Sequence, residues 1–369
     1  MAKFLHFADI HLDTRFQYLD AEKNALRKEE LRSVVSRIVR LAVDENVDVV
    51  FIAGDLFEGL NSTAESIEMI SREMENAKHI RFFLCSGNHD PYTPSSQYAL
   101  MKLPPNAHLF KSVKFERVVL EDLKMVVYGA GFEAPTCAAS LMTEFSLNTD
   151  DPADFARVCV IHGDLNQNSP YNYISQSDIE KSGLDYLALG HVHAMSINKR
   201  GNTTYAYPGV PEGKGFDECG EKGVLIGEVS RGNVKLRFET TDYRRFFVKQ
   251  FDVTGCTDID GVIKLIKTAV FDNPKVYFYK IVLKGEVDFE IDSQQILSEI
   301  SDDFFFVKLN DETTALIEES ELSDESLKGI FLTKIDGILS DCLDEKQKQL
   351  VTLAKNYGIS ALERRDIKI

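Results

Sequence analysis

Five apolar runs in the sequence are each followed directly by side chains that can bind metals or transfer protons. The runs are KFLHFADIH, VDVVFIAGD, IRFFLCSGNHD, ARVCVIHGD and LDYLALGHVH. Five of the eight histidines of the protein fall at these positions. Imidazole and carboxylate groups together suit manganese, iron or zinc, so the pattern indicates a metal site. The candidate residues are Asp9, His11, Asp55, Asn88, His89, Asp90, His162, Asp164, His191 and His193.

These residue types favour a site with two metal ions. A single carboxylate such as Asp55 can bridge two ions, and two adjacent ions form a clamp for in-line displacement at phosphorus. The carbonyl oxygen of Asn88 can complete a ligand shell without adding negative charge. A lone histidine at the end of a strand is more commonly a hydrogen-bonded core residue. Ligand-type residues follow directly after all five apolar runs, and such a repeated position is not expected by chance. The sequence therefore predicts a dinuclear centre.

The apolar runs are predicted to be buried strands, because they are rich in Val, Ile, Leu and Phe and lead into glycine turns. Helix-like stretches at residues 22–45 and 62–77 separate the first three runs. This alternation predicts βαβ units, in which ligands collect at the carboxyl ends of the strands. All five clusters should therefore meet at one edge. Within CSGNHDPY, residues 85–92, a tight loop can aim three adjacent side chains at one target, whereas a strand cannot.

Composition and charge limit the class of protein. The chain has 369 residues and a net charge of −17, which argues against a large basic surface for nucleic acid. From residue 246 onward, 15 Lys and Arg stand against 24 Asp and Glu, a net of −9. The six cysteines are far apart and include no CxxC pair, so we expect reduced thiols. The N-terminal apolar run is too short for a signal peptide or a membrane span, and we expect a cytoplasmic protein without a membrane segment.

The chain is predicted to contain three parts: residues 1–243, 244–318 and 319–369. After GHVH the sequence becomes rich in strands, and TTYAYPG, KGVLIGEV and NVKLRFETT resemble the second sheet of a known superfamily of α/β sandwiches. From residue 244 a βαβαβ order predicts a small separate domain. The tail has apolar residues at helical spacing, with Gly358 as a predicted helix end. This apolar stripe consists of Leu327, Ile330, Phe331, Ile335, Ile338, Leu339 and Leu343.

The ordered motifs D-x-H, GD, GNHD, HGD and GHVH resemble the calcineurin-like metallophosphoesterase superfamily over residues 4 to about 240. Within it, FADIHLD, FIAGDLFE, DYLALGHVHA and YPGVPEG resemble the SbcD-type DNA repair nucleases, and GFDECGEKGVLIGEV is most similar to their YhaO-like branch. The resemblance implies an α/β fold. It is a four-layer α/β/β/α sandwich with a smaller α+β capping domain, residues 244–318, and C-terminal helices.

The resemblance also implies the metal ligands. Asp9, His11 and His193 would hold a first ion, and Asp55 would bridge to a second ion held by Asn88, His162 and His191. Two divalent ions are expected, with Mn²⁺ favoured and iron or zinc as alternatives.

Four further residues receive roles beside the metals. His89 is similar to the family residue that faces the scissile phosphate and can give a proton to the leaving oxygen. Asp90 either orients His89 through its other ring nitrogen or caps a turn. Asp164 either supports the local structure or contacts a ligand histidine. Arg15 either contacts a phosphate or is a solvated surface residue.

The function that the resemblance implies is a metal-dependent DNA nuclease acting in DNA repair with an SbcC-type ATPase. Exonuclease activity is expected, and endonuclease activity is left open. GDLFEGL lacks the Asp-Arg-Gly continuation of serine/threonine phosphatases, which favours a diesterase. A small-nucleotide phosphodiesterase and a catalytically quiet scaffold for the ATPase are the alternatives. The C-terminal helices are expected either to pack on their own domain or, as the resemblance implies, to bind the ATPase. A homodimer is expected through residues 62–77 and 95–103, with Met69, Ile70 and Met74 either at its apolar centre or packed in the core of their own domain.

Overall fold

The computed structural model describes residues 1–59, 62–316, 327–342 and 344–362. The chain divides into two compact units, which run from Met1 to Arg245 and from Phe246 to Ile369. The boundary predicted from the sequence lies two residues earlier. Unit 1 contains all the motifs that the sequence marks for metal chemistry.

The first sheet of unit 1 has six strands in the spatial order β12-β11-β1-β2-β3-β4. Strands β1 to β4 are parallel, and the helices between the first three make the predicted βαβ units. The strands are β1 (Ala2–Phe7), β2 (Val49–Ala53), β3 (Arg81–Cys85), β4 (Ala107–Phe110), β11 (Gly223–Ser230) and β12 (Asn233–Thr240).

The second sheet of unit 1 has six strands in the order β5-β6-β7-β8-β10-β9. Strands β6, β7, β8 and β10 are parallel, and the two edge strands are antiparallel to their neighbours. The strands are β5 (Glu116–Leu120), β6 (Met125–Gly129), β7 (Ala156–His162), β8 (Tyr186–Gly190), β9 (Ser196–Arg200) and β10 (Thr203–Tyr207).

The two sheets pack face to face and are covered by helices on their outer faces. A buried cluster that includes Phe4, Phe51, Val158 and Tyr186 fills the space between the sheets. Helices α1 (Ala21–Asp44) and α2 (Ala64–Asn76) cover the first sheet, and α4 (Gln176–Lys181) lies on the second. The short α3 (Gln97–Leu100) follows β3. The order of layers is therefore α/β/β/α, as the sequence predicts.

The sheet assignment of β11 and β12 from the sequence is wrong. They were expected in the second sheet, but β11 pairs antiparallel with β1 and β12 pairs with β11, so both extend the first sheet. Only β10 of the three predicted strands joins the second sheet. Period-2 patterns identify a strand, whereas the free edge that it joins is decided by tertiary packing.

The expected apolar centre of a dimer is also wrong. Met69, Ile70 and Met74 are 7%, 3% and 2% exposed and belong to the core between α2 and the first sheet. An amphipathic helix buries its apolar face against its own domain first, and this face of α2 is therefore not available to a second copy.

Unit 2 is built around a parallel sheet in the order β13-β14-β16, with a two-stranded sheet of β15 and β17 beside it. Helices α5 and α6 cover the sheet with a shared apolar core. The strands are β13 (Phe246–Asp252), β14 (Phe278–Lys284), β15 (Glu286–Val287), β16 (Phe306–Asp311) and β17 (Thr314–Ala315), and the helices are α5 (Ile259–Thr268) and α6 (Ser293–Ile300).

The C-terminal helices α7 (Leu327–Asp341) and α8 (Glu345–Leu362) pack against each other. Gly358 does not end a helix as predicted. It lies inside α8, where a Cβ atom would stand 2.1 Å from the ring of Phe331. Leu327 and Ile338 of the apolar stripe are 71% and 52% exposed, and Leu343 lies outside the described residues. None of the helices in the described part of the chain has both the length and the apolar character of a membrane span.

Candidate metal centre

The seven predicted ligands lie together at one end of the sandwich of unit 1. They follow β1, β2 and β3 of the first sheet and end or follow β7 and β8 of the second sheet. The sequence predicts that the ligands lie at one edge of one sheet, whereas in the structure they lie at the carboxyl ends of strands from two sheets. The cluster contains Asp9, His11, Asp55, Asn88, His162, His191 and His193.

One group of donors consists of Asp9, His11 and His193. One ligand atom from each of them lies within 4.8 Å of the other two. The Nε2 atoms of His11 and His193 are 3.3 Å apart, so at least one of these two nitrogens is unprotonated and has its lone pair directed at the other. Two imidazole nitrogens and a carboxylate around one point form a donor set that suits a borderline divalent ion.

The second group of donors surrounds the amide oxygen of Asn88. Asn88 Oδ1 lies 2.9 Å from His162 Nε2 and 3.0 Å from His191 Nδ1. Asp55 stands between the groups, because its Oδ2 atom is 3.4 Å from His162 Nε2 and 3.8 Å from His11 Nε2. A carboxylate in this position can contribute to both groups.

Three of the four histidines in the cluster have their other ring nitrogen in contact with an oxygen acceptor. Such contacts fix the tautomer of a metal-binding histidine and the direction of its lone pair. The pairs are His11 Nδ1 with Glu58 Oε2 at 2.8 Å, His193 Nδ1 with Glu218 Oε1 at 2.6 Å, and His162 Nδ1 with the Ala53 carbonyl at 2.9 Å. His191 Nε2 lies 3.7 Å from Asp164 Oδ2, beyond hydrogen-bond distance.

The ionisation of the cluster also suits a cation. Burial lowers the pKa of His11 to about 3 and those of His162 and His191 to about 4, so these rings are neutral and keep a lone pair for a metal. Burial, and then the charge of Asp55, raise the pKa of Asp9 well above its usual range, and burial raises that of Asp55. A divalent ion bound between these two buried carboxylates would offset the repulsion between their negative charges and stabilise both in the ionised form. The donor set therefore fits the metals that the sequence predicts.

The backbone of the cluster is held in an unusual conformation. Asp9, His11, Asp55 and His191 have φ angles of 56°, 52°, 51° and 105°, in the region that favours glycine. Such strain persists only where the surrounding structure imposes it, and it concentrates at functional sites. A Cβ atom on Gly87 would stand 2.2 Å from Asp55 Oδ1, so this position requires glycine.

His89 lies beside the cluster and is held by Glu58. Its Nδ1 atom is 3.1 Å from Glu58 Oε1, while the other oxygen of the same carboxylate contacts His11. The rings of His89 and His11 are perpendicular, with centroids 4.7 Å apart. The hydrogen bond to Glu58 raises the pKa of His89, and its side chain is 43% exposed. His89 can therefore carry a proton at the surface of the site.

The expectation that Asp90 orients His89 is wrong. The Asp90 carboxylate accepts hydrogen bonds from the backbone N–H groups of Asp55, Leu56, Phe57 and Gly87 and from the hydroxyl of Tyr98. Asp90 thus takes the alternative, turn-stabilising role and ties the turn after β2 to the turn after β3. An acidic side chain in a tight turn satisfies nearby backbone donors before it reaches a ring farther away.

An open cleft of about 380 Å³ leads to the cluster. Its wall includes His11, His89 and His193 and two cationic side chains, Arg15 and Lys214. Lys214 Nζ donates to the carbonyl oxygen of Asp9 at 3.1 Å, and Arg15 is exposed. The cleft thus offers two cationic side chains next to the ligand cluster, alongside the carboxylates of Asp13 and Glu58.

Three residues of the site were not predicted from the sequence. Glu58, Lys214 and Glu218 stand within or beside the quoted stretches GDLFEGL, YPGVPEG and GFDECG, but none belongs to a metal-ligand pattern. Their roles come from contacts with His11, His89, His193 and Asp9 that only the folded chain creates. For Glu58 and Glu218 the sequence offers one signal, which is the presence of a carboxylate in or beside a quoted motif.

A sandwich of two sheets with histidine, aspartate and asparagine donors at one end is the architecture of a metal-dependent phosphoesterase. The chain belongs to the calcineurin-like phosphoesterase family, whose model matches residues 2–195.

The chain is similar to proteins of two kinds by sequence. It is 26% identical over 275 residues to the uncharacterized metallophosphoesterase YhaO of Bacillus subtilis (strain 168), and the match covers 72% of this chain and 66% of that protein. It is 27% identical over 240 residues to the DNA double-strand break repair protein Mre11 of Saccharolobus solfataricus, covering 61% of this chain and 60% of that protein. The matched region is thus less than two thirds of either relative.

Among solved structures, a dimetal phosphatase from Danio rerio matches with a TM-score of 0.43 and 11% identity. The match covers 65% of this chain and 96% of that protein.

Proposed function

We propose that the protein is a dinuclear-metal phosphodiesterase that cleaves DNA. The observation that carries this proposal is the pairing within the cluster: four imidazoles present one nitrogen to the cluster, and in three of them the other nitrogen contacts an oxygen acceptor. Histidines that only stabilise a fold do not require this double arrangement. In a metal site it orients the lone pairs of these three rings.

The cluster supports a division into two ion positions. Asp9, His11 and His193 would hold the first ion, Asn88, His162 and His191 the second, and Asp55 both. Bound there, two ions would supply Lewis-acid stabilisation of the phosphoryl oxygens. Histidine nitrogens mixed with carboxylate and amide oxygens favour Mn²⁺, with iron or zinc as alternatives.

The chain's own residues would bind the substrate and assist the leaving group. His89, with its pKa raised by Glu58, would donate its proton to the oxygen of the departing alcohol. Arg15 and Lys214 would bind the non-bridging oxygens of the phosphate groups in the cleft.

DNA as the substrate is supported by the relatives whose names are DNA double-strand break repair protein Mre11. We further propose that residues 244–318 act as a capping domain that limits access of DNA, that the chain forms a homodimer, and that it works in the cytoplasm. The six free cysteines support a reducing compartment.

An SbcC-type ATPase is the proposed protein partner, bound through the exposed side chains of α7. Leu327, Ile330 and Ile338 are 71%, 42% and 52% exposed, so part of the apolar stripe is uncovered within the described residues. Deletion of residues 322–369 should abolish co-purification with the ATPase and spare cleavage of short DNA. Retention of the ATPase by a soluble, active truncation would contradict this part of the proposal.

Manganese-dependent release of nucleotides from linear duplex DNA tests the proposed activity. The wild-type protein should release nucleotides with Mn²⁺ and stop when EDTA is added, and Asp55→Asn should be inactive. Hydrolysis of small nucleotide diesters without any DNA cleavage would favour the small-nucleotide phosphodiesterase. Loss of both activities in a protein that still binds the ATPase would favour the quiet scaffold.

A further inference from the structure

Two buried, oppositely charged side chains lie near the metal centre without touching it. Arg27 on α1 and Glu212 in the loop after β10 are both 0% exposed, and Arg27 Nη2 lies 2.7 Å from Glu212 Oε1. Arg27 Nη2 also donates to the carbonyl oxygen of Gly213 at 2.9 Å. Replacing a buried ion pair by apolar residues is often neutral or stabilising, so stability alone gives no reason for this pair.

On one side, the pair holds the loop that supports the first ion position. Arg27 holds this loop at Glu212 and Gly213, directly before Lys214. Lys214 contacts the Asp9 carbonyl, and its backbone N–H donates to Glu218 at 2.6 Å. Glu218 in turn holds the ring of His193. A shift of Glu212 would therefore move the groups that orient His193 and Asp9.

On the other side, the pair holds the segment that leads into unit 2. The Glu212 carboxylate accepts the backbone N–H groups of Tyr243 at 2.6 Å and Arg244 at 3.2 Å. The Arg244 guanidinium forms hydrogen bonds through Nε at 2.9 Å and Nη2 at 2.7 Å to Glu30, which also binds Arg27 at 2.6 Å. Unit 2 begins two residues later, at Phe246.

We propose that Arg27 and Glu212 are positioning residues for the first ion position, and that Arg244 and Glu30 tie the segment before unit 2 into the same network. A displacement of this segment then changes the affinity of the first position for its ion. The proposal rests on the proposed function, because it presumes that Asp9, His11 and His193 bind a metal. Contiguous networks with satisfied polar groups carry such coupling between sites.

The test measures Mn²⁺ binding to metal-free, full-length protein by isothermal titration calorimetry, together with Tm. Arg244→Ala should weaken the first ion position about 10-fold, within the range found for residues that couple two sites. Arg244→Lys should weaken it about 3-fold, because lysine keeps the charge but loses the two-point contact with Glu30. Arg237→Ala is the matched control, since Arg237 pairs with Glu45 and Glu239 outside the network.

The sign of the change separates positioning from simple electrostatics. Removing a positive charge should strengthen the binding of a cation, as expected for Arg237→Ala if it has any effect, whereas lost positioning weakens it. Mn²⁺ affinity of Arg244→Ala and Arg244→Lys equal to or above wild type would overturn the proposal, even with a lower Tm. If Arg244→Ala does not fold, the charge-conserving Arg244→Lys decides alone. A wild-type protein that binds no Mn²⁺ would instead overturn the proposed function.

Discussion

Glu58→Gln is the substitution that separates metal binding from proton donation in the proposed site. One carboxylate oxygen of Glu58 contacts His11 Nδ1 at 2.8 Å and the other contacts His89 Nδ1 at 3.1 Å. Glutamine has the same shape but offers one acceptor oxygen and one N–H₂ donor. Neither ring therefore keeps its charged acceptor: one ring faces an N–H₂ donor and loses its contact, and the other keeps only the weaker contact with a neutral amide oxygen.

The expected loss of activity follows from the contacts of Glu58 with His11 and His89. Loss of a carboxylate that orients a metal-binding histidine typically costs about 10- to 100-fold in metal affinity or activity. Loss of general acid assistance costs about 100- to 10,000-fold when the leaving group is an alkoxide. We expect DNA cleavage to fall about 1,000-fold in Glu58→Gln, taking about 10-fold from His11 and 100-fold from His89.

The assay compares DNA with bis(p-nitrophenyl) phosphate, whose leaving group needs no proton. Glu58→Gln should lose about 10-fold on this diester and about 1,000-fold on DNA. Glu218→Gln is the matched control, because Glu218 holds His193 and not His89, so both substrates should lose about 10-fold. Equal losses of Glu58→Gln on both substrates would refute the assignment of His89 as a proton donor positioned by Glu58.

The pH dependence provides a second measurement on the same variant. The hydrogen bond to Glu58 raises the pKa of His89, and the ring donates a proton only while it is protonated. DNA cleavage should therefore decline as the pH rises through this pKa. In Glu58→Gln the decline should move to lower pH, and an unchanged profile would contradict the contact.

Three further substitutions test individual residues. His89→Ala should retain two bound ions while DNA cleavage falls about 100-fold or more, as elemental analysis and a nuclease assay would show; loss of an ion would make His89 a ligand. His191→Ala should lose one of the two ions in the same analysis, and full occupancy would remove His191 from the ligand set. Asp90→Ala should lower the free energy of unfolding by at least about 3 kcal/mol in urea titration, because four backbone N–H groups and the Tyr98 hydroxyl lose their acceptor; a change below about 1 kcal/mol would contradict this role.

The ligand cluster could be read from the sequence because strand ends carry local signals. Apolar runs followed by Asp55, His162 or His191 identify both the element and the donor, and the two helices between the first three strands fix their parallel order. The residues that hold the donors could not be read in this way. Glu58 and Glu218 reach their histidines only through tertiary packing, since 25 residues separate Glu218 from His193 along the chain.

Other errors have the same physical origin. The pattern of β11 and β12 predicts strands but carries no information about which sheet edge is open. Met69 and Met74 are apolar at helical spacing whether they face the core or a partner, and only the fold shows that they face the core. Asp90 has several donors within reach in a tight turn, and backbone N–H groups occupy it before the ring of His89 can.

Anomalous scattering from crystals grown with Mn²⁺ is the most direct test of the dinuclear metal site. Two peaks about 3.5–4 Å apart are expected on either side of Asp55, one near Asp9, His11 and His193 and one near Asn88 and the other two histidines. A single ion in the cluster, or two ions that share no contact with Asp55, would contradict the dinuclear site and the proposed function together.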